Sequence, residues 1–168
     1  MVVYGNTYFV GDTIGADLIL APDQQYDDPA DLAAACLGRV DPQIAELARP
    51  GDILLAGQDF GHGPHPEPAI LALQALGFAI IICISAAPSF VELAGIYGLP
   101  VLISPAAIQA IGPGGVVRVD LATGQITDRT TGMGFLTTPC STKLLNAVRQ
   151  AQLLSRMRQV VEDEGYDG

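Results

Sequence analysis

Apolar residues fall in short blocks along the chain, and the spacing within each block predicts its element. Val2 to Val10 reads as a strand that carries Tyr4, Tyr8 and Phe9, and Gly11-Asp12 turns it. Leu18 to Leu20 reads as a second, short strand, followed by the polar loop APDQQYDD, Ala21 to Asp28. Asp31 is placed to cap a helix over Leu32 to Leu37, and Asp41-Pro42 supplies a cap and a first-turn proline for Gln43 to Ala48. Asp52 to Ala56 is a buried strand, Ala69 to Leu76 a helix, and Phe78 to Ile84 a buried strand rich in β-branched residues. A helix over Pro88 to Leu93 and a strand over Val101 to Ile103 come next. Ser104-Pro105 then opens a helix to Ile111. Val116 to Leu121 and Gln125 to Arg129 form a hairpin around Ala122 to Gly124. Ser141 caps a last helix with an apolar stripe of Leu144, Leu145, Val148, Ala151, Leu154, Met157 and Val161. The acidic tail, residues 161–168, is expected to fray. Alternating strands and helices through 52–111, flanked by β segments, predict an α/β fold, either a small barrel or an open mixed sheet.

Composition sharpens this picture. With 49% apolar and 15% charged residues, the chain is a globular protein, expected to form one domain over 1–168. Its formal charge of -10 argues against nucleic acid and anionic membranes as partners. Ala69 to Ala87 is apolar enough to resemble a membrane span, but Gly77 splits it into helix, turn and strand. Cys36, Cys83 and Cys140 match no disulfide or metal spacing, and Met1 to Tyr4 has no basic leader. A reducing cytoplasm is expected.

The densest chemistry lies in Gly57 to Pro68, GQDFGHGPHPEP, between a strand end and a helix start. Glycine and proline fix an unusual backbone path there. Both histidines of the chain, His62 and His65, sit in it with Asp59 and Glu67. In α/β folds ligands bind at such strand ends. His62-x-x-His65 with Asp59 or Glu67 would give a metal three ligands, but the prolines beside His65 restrict the loop, and no metal is assigned.

GQDFGHGPHPEPAILAL resembles the active-site loop of the small subunit of 3-isopropylmalate dehydratase and its aconitase relatives, whose pattern is close to G-x-N-F-G-x-G-S-S-R-E-H-A. Gly57, Phe60, Gly61, Gly63, Glu67 and Ala69 match it. The resemblance extends to Gly11-Asp12 with Asp17, Pro50-Gly51-Asp52, Gly98-Leu99-Pro100 and the hairpin Asp120 to Gly124. It implies the swivelling β/β/α domain of aconitase-type enzymes. It also implies dehydration and rehydration of a small hydroxy acid with a large partner subunit that carries a 4Fe-4S cluster. No cofactor is expected on this chain itself, and a homo-oligomer is allowed for the chain in isolation.

The departures are specific. The family's two serines fall on Pro64 and His65 and its arginine on Pro66. In the S-F-A-R-I-F-x-R-N stretch the two arginines fall on Pro88 and Glu92 and the asparagine on Leu93. The aspartate and threonine of the family's D-T-D become Gly15 and Ala16. No lysine or arginine lies between Pro50 and Val117. An imidazole, with an ordinary pKa of about 6.5, therefore stands where the base belongs, and the carboxylate clamp is missing. His65 is the expected base, with Glu67 to orient it. Asp59, Gly61, His62, Gly63, Asp17, Tyr26 and Ser85 are expected around the substrate. Tyr26 lies in an acidic loop that suits a neutral or cationic ligand better than a carboxylate. Two rivals stand beside the divergent hydro-lyase subunit. One is a non-catalytic relative that keeps the fold as a binding or assembly module; the other is a stand-alone enzyme that uses His65 and Glu67.

Overall fold

The computed structural model describes residues 1–163. Fourteen elements follow one another: β1 (Val2–Phe9), α1 (Ala16–Ile19), α2 (Pro29–Ala35), α3 (Pro42–Leu47), β2 (Ile53–Leu55), α4 (Pro66–Leu76), β3 (Ile80–Cys83), α5 (Pro88–Ile96), β4 (Val101–Ile103), α6 (Pro105–Ala110), β5 (Val116–Asp120), β6 (Gln125–Asp128), β7 (Gly134–Leu136) and α7 (Thr142–Asp163). The strands form one seven-stranded mixed sheet of order β4-β3-β2-β1-β5-β6-β7. β1 to β4 pair in parallel, with Thr7 opposite Ile53 and Ile53 opposite Ile80, while β5, β6 and β7 add antiparallel. The Thr137 hydroxyl, just past β7, donates to the Ile103 carbonyl of β4 at 2.8 Å, so the sheet curls until its two edges meet.

The period of two along the central strands divides the core. Leu54, Ile81 and Cys83 face one layer with Ile19, Ile44, Ile70, Leu73 and Phe90 from the helical side. Ile53, Leu55, Ile80 and Ile82 face the other, with Val117, Val119, Ala107, Ile111 and Val148. Helices on both faces leave the central parallel strands β2 and β3 buried and continuously apolar, as the interior of a parallel sheet requires. The order of the strands puts the loops after β1, β2 and β3 side by side at their carboxyl ends.

Several expectations need correction. Leu18 to Leu20 is not a strand: Ile19 and Leu20 donate to the carbonyls of Gly15 and Ala16 and close the turn of α1. Three apolar residues are too few for periodicity to separate helix from strand. The cap of α2 is Asp28, which accepts from the Asp31 N–H at 2.9 Å, with Pro29 in the first turn; Asp31 itself lies inside the helix. α4 starts at Pro66, three residues before the expected Ala69, because a proline suits a first helical turn. β7 is an unexpected strand of three residues, none of them buried. Ser141 does cap α7, accepting from the Leu144 N–H at 3.1 Å. Leu144, Leu145, Val148 and Ala151 are at least half-buried, but Leu154 and Met157 are 56% and 58% exposed, so the packed stripe ends at Ala151. The side chain of Val161 and the tail 164–168 lie outside the described residues.

Asp52 holds the loop strand in place. It is 4% exposed, and its carboxylate accepts from the backbone N–H groups of Arg49 at 2.8 Å and Asn6 at 3.2 Å. One side chain thus closes the turn into β2 and ties it to β1. Asp52→Ala is expected to leave both donors unpaired and to cost about 2–4 kcal/mol, since each orphaned buried group costs about 1–3 kcal/mol. Urea unfolding checks this, and a loss below about 1 kcal/mol would show that water replaces the carboxylate.

Candidate functional site

Backbone hydrogen bonds join the three loops at the carboxyl ends of β1, β2 and β3. Gly57 donates to the Gly11 carbonyl at 2.8 Å, Thr13 to Gln58 at 2.7 Å, Gly61 to Ile14 at 2.8 Å and Ala16 to His62 at 2.8 Å. On the other side Phe60 donates to Ser85 at 3.1 Å and Ala87 to Phe60 at 2.9 Å. Two side chains complete the frame. Asp12 accepts from the Gln58 N–H at 2.8 Å, and the Ser85 hydroxyl accepts from the Asp59 N–H at 2.9 Å. Phe60 is the hub beneath, fully buried and edge-on to Phe90 at 5.4 Å.

The path is strained. Thr13, Asp59 and His65 hold left-handed backbones at φ 58°, 55° and 60°. Left-handed non-glycine residues cost energy and collect where function requires them. Gly57 and Gly61 are needed for space: a Cβ at Gly57 would overlap the Asp12 carboxylate, and one at Gly61 would enter the Phe90 ring.

The frame brings most of the expected site residues together. His65 caps α4 with its backbone and makes no cap hydrogen bond with its side chain. It is exposed and lines two adjoining depressions, both shared with Tyr26. The narrower, about 190 Å³, has Asp17 on its wall; the wider, about 710 Å³, has Glu67 and lies open to solvent. Ligand pockets bury most of their occupant, and these depressions by themselves would leave one largely exposed. His62 donates through Nδ1 to the Asp59 carbonyl at 2.9 Å, the tautomer that a carbonyl partner demands. Gly61 and Gly63 take left-handed turns at φ 76° and 96°. Ser85 is bound to the loop backbone and does not cap α5, whose N-cap is Ala87.

Glu67 has a different neighbour from the one expected. Its carboxylate raises the pKa of the Tyr97 phenol, and among the described residues no hydrogen bond joins it to His65. The pKa of the Tyr26 phenol is raised by burial first and by Asp23 second. Asp23 in turn forms a 3.9 Å ion pair with Arg39, exposed on both sides, at the rim of the acidic loop. Burial pushes the Cys36 and Cys83 thiols up to about 12, which makes them inert packing groups. Among the described residues no three His, Cys, Asp or Glu side chains converge as metal ligands, and no helix is long and apolar enough to cross a membrane. Sequence reasoning missed two contributors. Tyr97 lies 30 residues from Glu67 and carries no signal. Gly15 reads as a lost family residue, whereas in the fold a Cβ there would crowd the Asp17 carboxylate and the His62 ring, each at 2.9 Å.

No family model matches the chain. Individual relatives do. It is 34% identical over 158 residues to the 3-isopropylmalate dehydratase small subunit of Caldanaerobacter subterraneus subsp. tengcongensis, spanning 94% of this chain and 98% of that one. It is 35% identical over 136 residues to the 2,3-dimethylmalate dehydratase small subunit of Eubacterium barkeri, spanning 80% and 83%. The crystal structure of 3-isopropylmalate dehydratase from Methanocaldococcus jannaschii superposes with a TM-score of 0.79 at 25% identity, over 94% of this chain and 99% of that one. With its curled mixed sheet and its shared length, the chain belongs to the family of 3-isopropylmalate dehydratase small subunits.

Proposed function

We propose that the chain is the small subunit of a two-subunit hydro-lyase that removes water from a small hydroxy acid and adds it back, with His65 as the base. The observation that carries this reading is the placement of His65. It stands on the base position of the family loop, in a strained backbone, at the lip of an open depression. In dehydration His65 takes the proton from the carbon next to the one that loses its hydroxyl; in hydration it returns it. Asp59, Gly61, Gly63 and Ser85 shape the loop, and Tyr26 covers the cleft from the acidic side.

The residues of this chain do not fit an iron–sulfur cluster, since Cys36 and Cys83 are fully buried packing groups and no three His, Cys, Asp or Glu side chains converge among the described residues. In this reading a 4Fe-4S cluster belongs to the large subunit, as do the cations that meet the substrate carboxylates. Three unpaired thiols suit a reducing compartment, here the cytoplasm. The rival, a binding or assembly module, has less support, because a relic loop has no reason to keep Asp59 and His65 strained.

The test is reconstitution with a 3-isopropylmalate dehydratase large subunit. Dehydration of 3-isopropylmalate or 2,3-dimethylmalate is expected only from the two chains together, and the lone small subunit should bind either acid more weakly than about 1 mM. Absence of a complex with any large subunit, or sub-millimolar binding by the lone chain, would sink the reading.

A further inference from the structure

α7 continues past its own packing. Leu144, Leu145, Val148 and Ala151 are buried or half-buried, yet from Gln152 to Val160 every described side chain is exposed. Leu153, Leu154, Met157 and Val160 are large, apolar and more than half exposed. Leu153, Met157 and Val160 are four and three residues apart, the repeat of a helix-pairing seam. Met157 follows Val148 by nine residues, about two and a half turns, so this second stripe faces away from the packed one. A helical segment draws most of its stability from an apolar face packed on something, and an exposed stripe of this kind marks an interaction surface.

Its place in the fold says what the occupant does not touch. Cys140, just before α7, donates to the Leu121 carbonyl at 2.9 Å, and Leu121 donates to that of Met1, ahead of β1. The Ala147 carbonyl and the Ala151 methyl abut Gly98, ahead of β4. α7 thus lies at the amino ends of the parallel strands, and a partner on its outer stripe leaves the loop frame at the carboxyl ends free. The order of charges says what the occupant is. Lys143, Arg149, Arg156 and Arg158 are the only charged residues from 142 to 161, and Glu162, Asp163, Glu164 and Asp167 follow without a cation. Arg149 bonds Asn146 of its own helix at 3.2 Å and pairs with no acid among the described residues. A basic start, an apolar middle and an acidic end make a segment that complements itself when reversed.

We propose that α7 is a dimerisation arm, whose outer stripe packs antiparallel on that of a second copy of this chain. The two-fold axis passes near Met157, Leu153 lies beside Val160 of the second copy, and the acidic end of each chain lies beside Arg149 of the other. Such a contact is isologous and closes on itself. Arg156 and Arg158 stand on the rim, where salt screens their repulsion. The proposal is independent of the hydro-lyase reading.

Sedimentation equilibrium of the full chain at rising concentration is expected to reach twice the 17.5 kDa chain mass. Met157→Glu should give a folded monomer by circular dichroism, because the side chain is exposed in the single chain. Arg149→Glu should weaken the dimer by about tenfold, as the loss of two symmetric surface ion pairs would, and adding Glu162→Arg and Glu164→Arg should restore it. On mild oxidation Met157→Cys should cross-link two copies and Leu153→Cys should not, because antiparallel pairing holds the two Leu153 positions about two turns apart along the seam; the parent chain controls for Cys140. A monomer at every concentration, a dimer that survives Met157→Glu, or cross-linking through Leu153→Cys overturns the proposal. So does loss of large-subunit binding in Met157→Glu, which would assign the stripe to that subunit instead.

Discussion

His65→Ala is expected to lower turnover of the reconstituted enzyme by about 10²–10⁴-fold, the range that a positioned general base contributes. Stability should barely move, because the side chain is exposed and bonds nothing that holds the loop. His65→Gly separates the two roles of the position. It relieves the left-handed backbone at φ 60°, worth about 1 kcal/mol, and still removes the imidazole. The glycine variant should therefore melt no lower than the parent while turning over as poorly as the alanine variant. Assays at saturating substrate, paired with thermal melts, check both statements. Full activity in His65→Ala would move the base to another residue of the frame, and His62 would be the next to test.

Gly61→Ala is expected to be strongly destabilising. Its φ of 76° costs an alanine about 1–2 kcal/mol. The added methyl would also enter the ring of Phe90, which is fully buried against Phe60 and has nowhere to go. Overpacking of that kind costs about 1–3 kcal/mol, so the total is about 3 kcal/mol. Gly63→Ala is the control. Its φ is 96°, but a Cβ there meets nothing within 4 Å, so only backbone strain remains. Urea unfolding of the two variants should differ by about 1–3 kcal/mol. Equal losses would mean that Phe90 yields freely.

Much of this architecture is legible in the residues themselves. Caps followed by prolines at Asp41-Pro42 and Ser104-Pro105 mark helices because the cap accepts and the proline needs no partner. The β-branched run around Ile80 to Ile82 marks a strand buried on both faces. The loop draws notice because both histidines lie among its glycines and prolines. What stays hidden depends on distance along the chain. Asp17 and His62 lie 45 residues apart, and main-chain bonds, which leave no trace in residue identity, bring them together. The partnership of Glu67 with Tyr97 depends on how α4 and α5 pack. Short elements fail for another reason: at Leu18 to Leu20 and in β7 there are too few residues for a period to show, and the sheet decides the outcome.

The frame around the loop is built almost entirely from peptide groups. Gly11, Thr13, Ile14, Ala16, Gln58, Phe60 and His62 contribute N–H and carbonyl groups rather than side chains. A scaffold of this kind is indifferent to what projects from it. Serine, arginine and asparagine can be exchanged for proline, histidine and leucine without loss of a single strut, provided that Gly57 and Gly61 stay small and Asp12 keeps its carboxylate. The consequence is that chemistry and architecture are separable here. Exchange of the reactive groups at Pro64, His65 and Pro66 is expected to leave the frame standing so long as the few constrained positions keep the socket open.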